Sequence, residues 1–110
     1  MDYSKLSDFE INKLVSAYLW GSVCAVDKVV LHNEKDGPFD PCNNPADAWS
    51  IILGHKLSLI NADDEWLCVP DDTVVDGTTG DEVQMIYSGD GHVDANPLRA
   101  AMIVFLMMMQ

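Results

Sequence analysis

Ile11, Leu14, Val15, Tyr18 and Leu19 recur three and four positions apart in LSDFEINKLVSAYLWG, a spacing that predicts an amphipathic helix over residues 8–20. Its start is written out just ahead of it. Ser7 and Glu10 form an S-x-x-E capping box, Leu6 and Ile11 occupy the positions of a hydrophobic staple, and Gly21 supplies a stop. SVCAVDKVVLH is rich in β-branched residues and predicts one strand or two. Gly, Pro and Asn then break up NEKDGPFDPCN, so residues 33–43 read as loop.

A second helix opens at NPADAW. Asn44 caps it, Pro45 takes the first position, where its missing N–H costs nothing, and Asp47 complements the helix dipole. Trp49, Ile52 and Leu53 are expected to form its buried face, with Gly54 at its end. KLSLI and WLCV flank NADDE and predict a hairpin with a five-residue acidic loop. PDDTVVDGTTGDE is polar and turn-rich, EVQMIYS reads as a third pairing strand, and SGDGHVDA reads as a loop. Asn96 and Pro97 open a last helix over residues 97–109, in which Arg99 is the single charge and apolar residues cover every face. That run is too short to span a bilayer, which takes about 20 residues. A helix apolar all round is expected to be buried between a sheet and the other helices, although four methionines among the last nine residues would also suit a partner's groove. The elements sum to one α+β domain over residues 1–110, with three helices packed around a small, mainly antiparallel β-sheet.

Composition adds limits. Apolar residues make up 48% of the 110, enough for a single core without staples. A formal charge of −12 leaves no basic footprint for phosphates, so neither direct nucleic-acid binding nor an anionic membrane surface is expected. Three cysteines, Cys24, Cys42 and Cys68, do not make a disulfide framework. Cys24 and Cys68 fall in apparent strands as small buried residues, and Cys42 is expected to be the exposed thiol. The start MDYSKLSDFE has neither basic nor apolar leader, and a reduced cytoplasm is the expected location.

Candidate chemistry is sparse. Between Lys56 and Arg99 there is no basic residue, while ten carboxylates fall in that interval. Asp63, Asp64, Glu65, Asp71, Asp72, Asp76, Asp81 and Glu82 crowd its first half. They read either as solvated loops that keep the protein soluble or as a face that engages a basic partner, such as the DNA-binding groove of a host enzyme. A calcium-loop pattern counted from Asp72 fails at Val74 and Val83, and the histidines His32, His55 and His92 lack zinc spacing to the cysteines. No metal and no cofactor is therefore expected. Ser88, Asp90 and His92 are too close in sequence to make a triad, and no nucleophile or phosphate-loop motif is present. Trp20, Trp49 and Trp66 are expected in the core, with Trp49 near Phe39 as an alternative pocket wall.

Three blocks, YSKLSDFEINKLV, CNNPADAWSII and NPLRAAMIVFLMM, resemble the NinX-like proteins of lambdoid phages and prophages, and the pattern is also similar to small phage α/β/α-sandwich domains. The blocks cover about a third of the chain, and residues 55–92 do not resemble the family closely. The resemblance implies a phage accessory protein in the host cytoplasm, with no catalytic residue to carry over. Its recurring residues are Asn44, Pro45, Asp47, Trp49, Asn96, Pro97 and Arg99. The expected function is non-enzymatic binding and modulation of a host or defence protein through the acidic surface. The alternative is a small-ligand or nucleotide-binding module in which two Asn-Pro helix starts, with Asn44, Trp49 and Asn96, face one anion and Arg99 supplies its counter-charge.

Overall fold

The capping box at Ser7 closes in both directions. The Ser7 hydroxyl accepts from the Glu10 backbone N–H at 3.2 Å, and the Glu10 carboxylate accepts from the Ser7 N–H at 3.2 Å. These bonds come from a computed structural model that describes residues 2–33, 37–70 and 91–109. Helix α1 runs Asp8–Trp20 and ends at Gly21, whose φ of 74° lies in the left-handed region that favours glycine. A short 3-10 turn, Tyr3–Lys5, precedes it.

Strands β1 (Cys24–Val26) and β2 (Val29–Leu31) pair antiparallel. Asp27 and Lys28 turn the chain with φ of 51° and 62°, the pair of positive φ values that a tight two-residue hairpin takes. Leu31 also bridges Pro38, so β2 lies inside the ribbon and β1 forms its outer edge. Helix α2 (Pro45–Gly54) starts at Asn44, whose side-chain oxygen accepts from the Ala46 N–H at 3.0 Å.

Strands β3 (Ser58–Ala62), β4 (Glu65–Val69) and β5 (His92–Asp94) form an antiparallel sheet in the order β3-β4-β5. Two expectations are corrected here. The β3–β4 connection is the two residues Asp63 and Asp64 rather than five, because Asn61 pairs with Trp66 and Ala62 with Glu65. Asp63 accepts the positive φ (61°) that so tight a turn demands. His92–Asp94, expected as loop, is the third strand, paired with Trp66–Cys68. A three-residue strand with one apolar side chain carries no alternation to detect. Gly91 lets it approach: a Cβ there would lie 2.8 Å from the Cys68 carbonyl oxygen. The segment EVQMIYS lies outside the described residues.

Helix α3 (Pro97–Met109) is the hub. Every residue from Ala100 to Leu106 is buried, because α3 packs on β4 and β5 and also on α1 and α2. This is the expected burial of a helix with no polar face. Around it gather Ile11 and Val15 of α1, Ile51 and Ile52 of α2, and Cys68 of β4. The result is the expected α+β arrangement, with its strands divided between the ribbon and the three-stranded sheet. Among the described residues no helix is long and apolar enough to cross a membrane.

Three placements differ from expectation. Trp49 and Leu53 are each 57% exposed, and the buried face of α2 is Ala48, Ile51 and Ile52. Apolar residues occupy two faces of this ten-residue helix, and a shift of one position, about 100° of turn, decides which faces the core. Cys42 is fully buried, tucked beneath the N-terminal turn of α1, while Cys24 is exposed on the outer strand of the ribbon. Tyr18 stays 46% exposed and meets Phe105 edge-on, with ring centroids 6.5 Å apart.

Candidate functional site

Arg99 leaves the first turn of α3 and is only 15% exposed. Its Nε donates to Asp94 at 3.1 Å, and one terminal nitrogen donates to Asp8. The other donates to the carbonyls of Ser4 at 3.1 Å and Leu6 at 2.7 Å. One guanidinium thus joins the residues before α1, the start of α1 and the strand β5 to the start of α3. Two carboxylates neutralise its charge.

The two Asn-Pro helix starts are neighbours. Asn96 accepts from the Leu98 N–H at 2.9 Å, as a cap should, and its amide donates to the Cys42 carbonyl at 2.7 Å and to the Asn43 side chain at 3.4 Å. Asn44 caps α2 two residues from that contact. Asp8, Asp40, Asp47 and Asp94 crowd these helix starts, and all four are partly buried. The Asn44 and Asn96 side chains accept N–H groups of the first turns of α2 and α3, while Asp47 and Asp94 accept the backbone N–H groups of Asp40 and Asn96.

Beside this junction a cleft of about 420 Å³ opens between the start of α1, the β1–β2 turn and the loop before α2. Phe9, Val30 and Phe39 line it together with Asp8, Asp40 and Lys28. Asp40 accepts from the buried Asn12 amide at 2.7 Å and from Asn43 at 3.2 Å. Asn12 in turn accepts from the Cys42 N–H at 3.3 Å. Trp20, His32 and Phe39 pack ring against ring behind the cleft, Trp20 and Phe39 with centroids 4.9 Å apart.

The acidic residues divide. Asp63, Asp64 and Glu65 are exposed at the β3–β4 turn and form no ion pair among the described residues. Asp71, Asp72, Asp76, Asp81 and Glu82 lie outside the described residues, as does the calcium-like pattern. Trp49 stands apart from the junction on the outer face of α2, a face of Pro45, Ala46, Ser50, Leu53 and Gly54 that bears no charge.

Burial, with Asp8 nearby, pushes the Cys42 thiol up to about 12, and burial does the same for Cys68. Burial holds His92 below its usual pKa against the opposing pull of Asp94, 4.0 Å away. Among the described residues no three His, Cys, Asp or Glu side chains gather to hold a metal ion.

Arg99, Asn44 and Asn96 were marked in the sequence, but their partners were not. Asp8 and Asp94 lie 91 and five positions from Arg99, and Asn12 and Asp40 lie 28 apart, separations that no local pattern encodes. The one available signal was Asn12 and Ser16, polar residues four apart inside an apolar stripe and both buried.

A family model described as Bacteriophage P22, NinX, matches residues 2–109, a span that includes the interval 55–92 where motif resemblance fails. No curated protein and no solved structure matches the chain significantly. With a family match along nearly its whole length, over a framework of capped helices and a buried α3, the chain belongs to the NinX family of phage proteins.

Proposed function

We propose that this phage accessory protein works by binding, without catalysis, a host or defence protein in the bacterial cytoplasm, and that it does so through its acidic surface. The observation that carries this reading is the uncompensated charge at the β3–β4 turn. Asp63, Asp64 and Glu65 are consecutive, exposed and free of ion pairs among the described residues. Arg99, the one basic residue after Lys56, is consumed by Asp8 and Asp94 and cannot offset them. A one-signed field of this kind steers a basic surface towards it, including one built to bind nucleic acid. The exposed Trp49 supplies the sort of aromatic anchor on which protein interfaces concentrate their energy.

The alternative, an anion held between Asn44 and Asn96, has less in its favour. Its counter-charge, Arg99, is already bound by two carboxylates, and Asp8, Asp40 and Asp47 would repel the ligand.

The test is a pulldown from host lysate with the wild-type protein and with Asp63→Asn/Asp64→Asn/Glu65→Gln, at low and moderate salt. A partner retained by the wild type, lost by the triple variant and weakened by salt is the expected result. A partner that survives both the neutralisation and the salt overturns the acidic-surface reading.

A further inference from the structure

The cleft beside the helix starts holds a carboxylate whose charge the described residues leave unbalanced. Asp40 is half-buried, and its oxygens accept from the neutral amides of Asn12 and Asn43 at 2.7–3.3 Å. Those amides fix its orientation without cancelling its charge, and no cation lies within ion-pair distance among the described residues. Phe9, Val30 and Phe39 also line the cleft, Phe9 being the more exposed of the three. At about 420 Å³ the cleft falls at the small end of ligand sites, which run from about 300 to 1,000 Å³. An anion would meet Asp8 and Asp40 together. A ligand with a cationic head and an apolar stem meets groups complementary to both.

We propose that this cleft receives one arginine side chain of the basic protein partner, its stem along Phe9 and its guanidinium on Asp40. Guanidinium suits the site better than ammonium, because a planar fork can donate to both Asp40 oxygens at once and to the Asn43 side-chain oxygen beside them. Asn43 keeps acceptor capacity, since its oxygen receives only the long 3.4 Å bond from Asn96. Lys28 stands on the rim, exposed on the β1–β2 turn and without an ion pair among the described residues. Among the described residues that line the cleft it is the one cation that could compete for Asp40. This assignment rests on the reading that the partner is a basic protein, but it can be tested without that partner.

The probe is Nα-acetyl-argininamide, titrated into 15N-labelled full-length protein. Nα-acetyl-lysinamide and the uncharged citrulline analogue serve as the other arms. The expected result is saturable shifts confined to the amides of Asp8, Phe9, Asn12, Asn43 and Asn44 with the arginine probe, weaker with lysine and absent with citrulline. Asp40→Asn, checked for folding by circular dichroism, should weaken the arginine probe on the order of tenfold, the usual scale for losing a charge-assisted bond. Lys28→Gln lies on an exposed turn and should tighten it about twofold, because a competing surface charge is removed. No saturable shift in the wild-type protein, equal shifts with citrulline, or binding that Lys28→Gln weakens would each overturn the proposal. The hairpin variant separates the two readings. A salt-sensitive partner with no arginine in the cleft sinks this proposal alone, whereas arginine binding without such a partner sinks only the acidic surface at the β3–β4 turn.

Discussion

Replacing Arg99 with Met keeps the aliphatic stem and deletes the charge, and so isolates the guanidinium. The side chain is 15% exposed and makes four polar contacts: Asp8, Asp94 and the carbonyls of Ser4 and Leu6. Breaking a buried ion pair from one side costs about 3–5 kcal/mol, because the abandoned partner keeps its desolvation penalty. Asp94, 20% exposed, suffers most of that, although it retains the Asn96 N–H at 2.9 Å. Asp8 is 41% exposed and can recruit water, which moves the loss to the low end, roughly 3 kcal/mol. For a domain whose total stability is of order 5–15 kcal/mol, that is a large share. Urea denaturation at pH 7, followed by far-ultraviolet circular dichroism, measures it. Arg99→Lys should recover only part of the loss, since a point charge cannot reach two carboxylates and two carbonyls together. A double-mutant cycle with Asp94→Asn should show coupling above about 0.5 kcal/mol, as neighbours in one network do. A loss under about 1 kcal/mol for Arg99→Met, the level of an ordinary surface site, would refute the reasoning.

Trp49→Ala should cost less than about 1 kcal/mol in the same melts, because the indole is mostly in solvent, and a loss of 3 kcal/mol would return it to the core. Phe105→Ala, at the centre of α3, should cost about 3–5 kcal/mol, and a near-neutral result would contradict the hub role of α3. Gly91→Ala should cost about 1–3 kcal/mol, because its Cβ meets the Cys68 carbonyl, a backbone atom that cannot step aside. Thiol titration of the folded protein should modify Cys24 alone, with Cys42 and Cys68 reacting only on unfolding. Those two thiols have folded-state pKa values raised from 9.0 to about 12, so their contribution is intact below pH 9 and lost as pH rises from about 9 to 12. Denaturant midpoints that stay flat across that window would contradict their burial.

The helices were legible because their signals are local. A capping box, two Asn-Pro starts and an apolar run state where each begins within a handful of residues. The side of α2 that faces inward was not legible, since Ala48 with Ile52 and Trp49 with Leu53 make rival stripes one residue apart. The stripe with Trp49 was expected inward, whereas the structure buries Ala48 and leaves Trp49 outside. Strand β5 escaped notice for a different reason. Its pairing depends on the absence of a side chain at Gly91 and on a partner, β4, more than twenty positions earlier. The polar junction shows the same limit, because the residues that orient Arg99 and Asp40 come from separate elements. Sequence named the charged residues and left unstated which of them neutralise one another.

That α3 follows every element it holds together has a consequence for biosynthesis. At about 5–20 residues per second, roughly several seconds separate completion of α1 from the appearance of α3. Throughout that interval Ile11, Val15, Ile51 and Ile52 lack the α3 surface on which they pack, and Arg99 has not arrived to tie Asp8 to the rest. The shared core on α3 therefore closes only after α3 has been made.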